Sequence, residues 1–275
     1  MGAYTVTPIF KGGWLIWEKA EEVCMYLVCG NKRAAMIDAG MGTGNLLSEV
    51  SALTDLPVLP LLTHGHPDHY LGVMSCPFVY LNEKDHALMR HYIELDAREA
   101  GTEAPPVPEI RPLQAQFDLG GLTLRTVSLR GHTQGSTGFL LEEEKVLFSG
   151  DGLIYNVWMQ MEESTSLEEY RTTLKNLQIF RPCFERIWTG HSTGALDAGH
   201  LDRVTNLLDA VIEAPFGFPN PPDEPPGIVA DGEACQITYR LDNIKTNTLK
   251  KEQSNEYQHR TAPCKAAARK ADRQL

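Results

Sequence analysis

No apolar run in this chain approaches the ~18 residues that a bilayer-spanning helix needs. The N-terminal stretch has no basic start, no continuous apolar segment and no small-residue cleavage site, so no secretory signal is expected. Val6 stands where myristoylation favours serine or threonine. The six cysteines (Cys24, Cys29, Cys76, Cys183, Cys235, Cys264) form no CxxC pair. Most sit in strand-like apolar runs, which predicts reduced core thiols and a cytoplasmic protein. Basic charge is also scarce: 25 Lys/Arg against 36 Asp/Glu leave a net −11. A general nucleic-acid binder must neutralise phosphates with a basic surface, so that class of partner is not expected. There is no P-loop, no GxGxxG, no repeat at a fixed period and no convincing serine or cysteine triad.

What is present is concentrated in one stretch, LLTHGHPDHYLG at 61–72. An apolar strand-like run, 58–63, ends in His64, His66, Asp68 and His69, with Gly65 and Pro67 between them. A lone histidine is ordinarily a surface residue or a satisfied core residue. Four ligand-type residues within six positions are different. A helix pairs ligands at i, i+4, whereas this spacing suits an irregular loop aiming four side chains at two nearby points. Imidazole nitrogen and carboxylate oxygen are donors that Zn²⁺ accepts.

Three further strand-like runs end the same way. The run 122–129 leads to Gly131-His132-Thr133, 146–148 to Ser149-Gly150-Asp151, and 187–188 to Thr189-Gly190-His191. Ligands at strand ends gather along one edge of a sheet. The HxHxDH run and the three later ligands, in this order, resemble the metallo-β-lactamase fold superfamily over roughly 4–241.

That resemblance implies an α/β fold, an αββα sandwich of two mixed sheets face to face with helices outside. It also implies a ligand set. His64, His66 and His132 would hold one metal, Asp68, His69 and His191 a second, and Asp151 would bridge them. Two Zn²⁺ are expected, although such a site also suits Fe or Mn. A shared water would ionise near neutral pH and attack an ester-like carbonyl. Asp68 would shuttle the proton, and Asp38 would support the site by hydrogen-bonding a ligand or the loop. Within the superfamily, true β-lactamases carry cysteine or serine where Asp151 stands. Flavodiiron proteins replace the second histidine with Glu, and the capped nucleases need more chain than lies between Asp151 and His191. The glyoxalase II-like and lactonase-like hydrolases remain. Lactonases place a tyrosine shortly after the bridging Asp, as Tyr155 stands here; a core or loop aromatic is the equal alternative.

Along the rest of the chain, 4–10, 14–18, 23–29 and 32–38 read as an antiparallel start to a sheet. The turn 39–44 is glycine-rich and lets the backbone pass close to the metal edge. Helices are expected at 45–53, 83–100, 166–180 and 197–213. The second would turn Ala87, Leu88, His91, Tyr92 and Leu95 to one face, with His86 and His91 as ordinary helix residues. The fourth places Leu201, Val204, Leu208 and Val211 at helical spacing. Ser166 and Glu169 form a capping box. The proline-rich loop 101–112 is a candidate cap over the site. The six prolines of 214–227 demand an extended connection, and 236–241 would return as an edge strand. Trp14, Trp17, Trp158 and Met159 are better read as core than as pocket wall. Loops 11–17, 101–112 and 152–164 would set specificity. One domain, 1–246, is expected, then a poorly ordered tail, 247–275, with seven Lys/Arg and three Asp/Glu.

The expected function is therefore hydrolysis of a small thioester or ester. The alternatives are a lactonase or β-lactam-hydrolysing enzyme, then a small-molecule phosphodiesterase. From another class comes a metal-dependent binding or redox-sensing module. Loss of a ligand would favour that last reading, and all seven are present.

Overall fold

A computed structural model of the chain describes residues 2–222 and 224–245. The expected tail, Cys264 and the domain limit at 246 lie outside the described residues.

The first half builds one sheet in chain order. Its strands are β1 (Tyr4–Phe10), β2 (Gly13–Glu18), β3 (Val23–Cys29), β4 (Ala34–Ile37), β5 (Val58–Leu61), β6 (Phe78–Leu81) and β7 (Glu109–Pro112). The first four are antiparallel and the rest parallel. The crossovers carry α1 (Leu46–Leu53), α2 (Pro67–Tyr70) and α3 (His86–Glu99). The second half supplies β8 (Gln116–Asp118), β9 (Thr123–Ser128), β10 (Thr137–Leu141), β11 (Val146–Gly150), β12 (Asn156–Met159), α4 (Leu167–Leu177), β13 (Arg186–Thr189), β14 (Leu196–Asp197) and α5 (His200–Glu213). It ends with β15 (Phe218–Pro219), β16 (Ile228–Gly232) and β17 (Cys235–Tyr239). Its main sheet runs β14-β13-β11-β10-β9-β8.

The layers follow from alternation along the strands. In β3, Cys24, Tyr26 and Val28 face the second sheet, against Phe139, Phe148 and Trp188. Met25 and Leu27 face the other way and pack with Leu46, Tyr70, Met89 and Ile93 from the first helical layer. Leu140 and Leu147 turn outward to Leu174, Leu201 and Leu208 of α4 and α5. The central strands β3, β4, β10 and β11 are thus buried on both faces, which is why they read as unbroken apolar runs. The αββα sandwich is the expected fold.

Several details differ from expectation. A third sheet, β12-β17-β16-β15, closes one end. In it β17 lies between β12 and β16 rather than at an edge. The strands beside it are too short to stand out as period-2 patterns. The end of the 101–112 loop is strand β7, paired parallel to β6. Helix α3 buries Met89, Ile93 and Ala97, not the face expected. These three form a continuous i, i+4 apolar stripe, longer than the Leu88–Tyr92 pair beside it. Helix α5 starts at His200 because Leu196 and Asp197 pair with β13. The capping box is present: Ser166 Oγ accepts from Glu169 N at 3.3 Å, and Glu169 Oε2 accepts from Ser166 N at 3.4 Å. The five described cysteines are unpaired. Among the described residues, no helix is long and apolar enough to cross a membrane.

Candidate metal centre

Strand direction brings the donor residues together. Strands β9 and β11 both run antiparallel to β10, and β13 runs parallel to β11. All three therefore point one way, and the loops carrying His132, Asp151 and His191 leave at one rim. The loop after β5 meets it there. Thr137 N donates to Thr63 O at 2.9 Å, and Cys24 N donates to Gly190 O at 2.7 Å, tying the two rims. Glycines let the loops approach. A Cβ on Gly190 would lie 2.2 Å from Asp151 Oδ1, and one on Gly150, at φ +50°, would lie 2.4 Å from Thr63 Oγ1. The turn 39–44 packs against this region, with Ala39 N donating to His69 O at 2.8 Å. The buried Glu18 carboxylate accepts from Met41 N and Thr43 N, so the turn is strapped from within.

All seven candidate ligands meet. One group is His64, His66 and His132; a second is Asp68, His69 and His191; a third, His64, His69 and Asp151, joins them. In each, the ligand atoms lie within 4.8 Å of one another. Asp151 lies between the first two groups. Its Oδ2 is 3.8 Å from His132 Nε2 and 3.3 Å from His191 Nε2, and its Oδ1 is 3.6 Å from His69 Nε2.

The tautomers follow from what each outer nitrogen touches. His132 Nδ1 donates to Trp158 O at 2.7 Å, and His191 Nδ1 donates to Glu22 O at 3.1 Å. His69 Nδ1 donates to Asp38 Oδ2 at 2.9 Å. Thr63 Oγ1 donates to Asp38 Oδ2 at 2.8 Å, so it accepts from His64 Nδ1 at 3.0 Å. His66 is turned round: its Nε2 donates to Glu163 Oε1 at 2.6 Å, leaving Nδ1 inward. Three unprotonated nitrogens then converge. His66 Nδ1 lies 3.0 Å from His64 Nε2 and 2.9 Å from His132 Nε2. Lone pairs at that distance repel unless a cation sits between them. His69 Nε2 and Asp151 Oδ1 are buried with no hydrogen-bond partner. Buried polar atoms without partners are costly. The donor types and these orphaned atoms fit divalent metal ions.

The charges agree with that fit. Burial, then the neighbouring His69 and His66, hold His64 well below the ordinary imidazole range. Burial and His66 bring His132 down to about 4. Both rings are therefore neutral, as ligands must be. Burial opposes ionisation of Asp68 and Asp151, yet His69 and His191 keep both carboxyls well below their usual range. Asp151 raises His191 to about 10. Burial works against a charge on His69, but Asp68, Asp38 and Asp151 hold it well above the usual range. This half of the site demands positive charge beside its carboxylates.

Two supporting acids carry no sequence signal of their own. Asp85 is fully buried and accepts from Gly65 N at 3.1 Å, Gly135 N at 2.7 Å and Thr133 Oγ1 at 2.6 Å. It thereby joins the His64–His66 loop to the His132 loop. Glu163 accepts from His66 and from Tyr92 Oη at 2.9 Å. Those contacts, against the cost of its burial, bring its carboxyl down to about 2. Asp38, by contrast, stands where the resemblance places a supporting acid. It also accepts from Thr63 N at 2.7 Å, at a backbone φ of +58°. Replacing Glu163 with alanine should weaken metal binding about 10–100-fold in chelator competition, because His66 Nε2 loses its acceptor and the ring is no longer fixed with Nδ1 inward. Unchanged affinity would remove Glu163 from the support of the site.

A cavity of about 600 Å³ opens over the donors. His66, Asp68, His132, Asp151 and His191 form its polar side, and Pro67, Tyr92, Ile154, Tyr155, Trp158 and Met161 line much of the remainder. Tyr155, 47% exposed, is thus on the wall. Trp158 lines the cavity, whereas Trp14 and Trp17 pack against the cores and Met159 is buried in one. Of the three loops expected to set specificity, only 152–164 contributes; 11–17 and 101–112 supply no lining residue. The latter does not cap the site because its end is pinned in the sheet as β7. His86 Nε2 bonds Leu81 O at 3.2 Å and His91 is exposed, so neither joins the donors.

The fold and this donor cluster define a class. The chain belongs to the metallo-beta-lactamase superfamily, whose family model matches residues 22–182. It is similar to the acyl-coenzyme A thioesterase MBLAC2 of Gallus gallus, 24% identical over 64% of this chain and 74% of that protein. It is also similar to the hydroxyacylglutathione hydrolase GloC of Haemophilus influenzae, 32% identical over 48% of this chain and 67% of the relative. The chain spans 57% of the length of the beta-lactamase-like protein 2 homolog of Drosophila melanogaster, and the matched share falls to 34% for an atrochrysone carboxyl ACP thioesterase of Aspergillus fumigatus. A metallo-beta-lactamase from Pontibacter korlensis shares the fold, with a TM-score of 0.56 at 20% identity, covering 75% of this chain and 99% of that one.

Proposed function

We propose that this chain is a dinuclear metal-dependent hydrolase of small thioester or ester substrates. The observation that carries the proposal is the convergence of three imidazole lone pairs beside the orphaned His69 Nε2 and Asp151 Oδ1. Under this reading His64, His66 and His132 would hold one ion and Asp68, His69 and His191 the other, with Asp151 contributing to both. Two such ions, Zn²⁺ in the first place, would supply an ionised water near neutral pH and positive charge for a tetrahedral oxyanion.

The chain's own residues do the rest. Asp68 has a side chain 29% exposed, with Oδ2 3.2 Å from His191 Nε2, so its ionised carboxylate would accept a hydrogen bond from the attacking water on the cavity side. Tyr155 offers a phenol from the wall to the substrate carbonyl. Trp158, Met161 and Ile154 exclude water from the acyl side. The thioester preference draws on the names of the two curated relatives. Free-thiol release from a thioester panel (short and long acyl-coenzyme A, S-lactoylglutathione, simple thiol esters), with metal-replete protein, tests it. Turnover that disappears on chelation and returns with Zn²⁺ is expected. Metal-loaded protein inert toward every thioester would end the thioesterase reading, leaving lactones, β-lactams and phosphodiesters to be assayed.

A further inference from the structure

The cavity wall has a composition that the metal chemistry does not require. Its lining contains no lysine or arginine. Arg130, adjacent in sequence to the His132 loop, is turned away: its Nη2 donates to Gln134 Oε1 at 2.7 Å and lies 3.6 Å from Glu169 Oε2. The ionisable groups at the cavity are the candidate ligands and the phenols of Tyr92 and Tyr155. Tyr92 Oη is already committed to Glu163, which puts a further carboxylate behind that wall. An anionic group seated against Tyr92, Trp158 and Met161 would lose its hydration and meet no lysine or arginine there. Burial of an unpaired charge is strongly unfavourable. The side chains of Tyr92, Ile154, Tyr155, Trp158 and Met161 instead offer apolar surface. The volume, about 600 Å³, lies in the range of small-molecule sites.

We propose that this wall is an acyl-binding subsite that selects uncharged, apolar acyl groups of single-ring or medium-chain size and rejects acyl groups carrying a second carboxylate. The inference rests on the hydrolase reading above and specifies its substrate class. It also places constraints on the thiol. Phosphates or carboxylates on the leaving group, as in coenzyme A or glutathione, must stay outside the wall formed by Trp158 and Met161.

The test uses thioesters of one neutral thiol, N-acetylcysteamine, so that only the acyl group changes. With the metal-loaded enzyme, kcat/KM should rise about fourfold per added methylene from acetyl to hexanoyl. Hexanoyl should exceed adipoyl, which ends in a carboxylate, by about 100-fold. Met161→Lys should narrow that ratio to about 10-fold by improving adipoyl turnover. A wild-type enzyme that hydrolyses adipoyl as well as hexanoyl would overturn the subsite while leaving the hydrolase intact. If no thioester is hydrolysed, the thioesterase reading fails alone, and binding decides the subsite. Tryptophan quenching by the corresponding hydrolysis-resistant amides should then show tighter binding of the hexanoyl amide, with the signal lost in Trp158→Phe. Equal affinity for the hexanoyl and adipoyl amides would overturn it.

Discussion

Replacing Asp151 with alanine should lower thioester turnover about 1,000-fold and reduce bound metal from two equivalents to one or fewer. The size follows from removing a group that stabilises the site where charge develops, usually worth about 10²–10³ in rate, together with loss of an ion. The geometry singles out this carboxylate because it approaches the first ligand group through His132 and the second through His69 and His191. Its Oδ1 has no hydrogen-bond partner, so the fold does not depend on that atom. The variant should keep the wild-type far-ultraviolet circular dichroism. Turnover is to be measured by thiol release and metal content by inductively coupled plasma mass spectrometry. Wild-type turnover with a single equivalent of metal would sink the dinuclear mechanism.

The second large effect is on stability. Asp85→Ala should cost about 3–5 kcal/mol, since two buried backbone N–H groups and a hydroxyl lose their acceptor at about 1–3 kcal/mol each. That is a large part of the ~5–15 kcal/mol that holds a domain folded. Gly65 and Thr133 are neighbours of the His64, His66 and His132 ligands, so metal affinity should fall as well. Urea unfolding with and without chelator separates the two losses. A shift under about 1 kcal/mol would mean that the surrounding backbone finds other partners and that Asp85 does not hold the loops.

The contrast between these two acids shows what was legible in the sequence. Asp151 follows an apolar run at the position where a strand must end, and its chemistry is incompatible with the run before it. The same holds for His64, His132 and His191. An abrupt change from β-branched and aliphatic residues to donors marks a strand end regardless of topology. Asp85 lies between Lys84 and His86 at the start of a polar helix, where an acid is ordinary. Its partners are 20, 48 and 50 residues away in sequence, and only folding brings them together. Glu163 is hidden in the same way among the acids Glu162, Glu168 and Glu169. The αββα layers were readable because strands buried on both faces are continuously apolar. The third sheet was not, because β15 has two residues and β12 four, too few for alternation to register. Helix α3 misled for a related reason. Tyr92 looks like a core residue at helical spacing, but its hydroxyl is turned to Glu163.

The third sheet has a consequence for the order in which the chain can become competent during synthesis. Trp158, whose carbonyl fixes His132, lies on β12, whose sole sheet neighbour among the described residues is β17. A nascent chain that has left the ribosome as far as α5 already holds every donor residue. It still lacks the strand against which β12 is laid. The carbonyl that orients one ligand, and the wall above it, therefore gain their sheet support only as the last described strand emerges. On the metal-centre reading, His132 would therefore reach its final orientation only after residues 235–239 are translated.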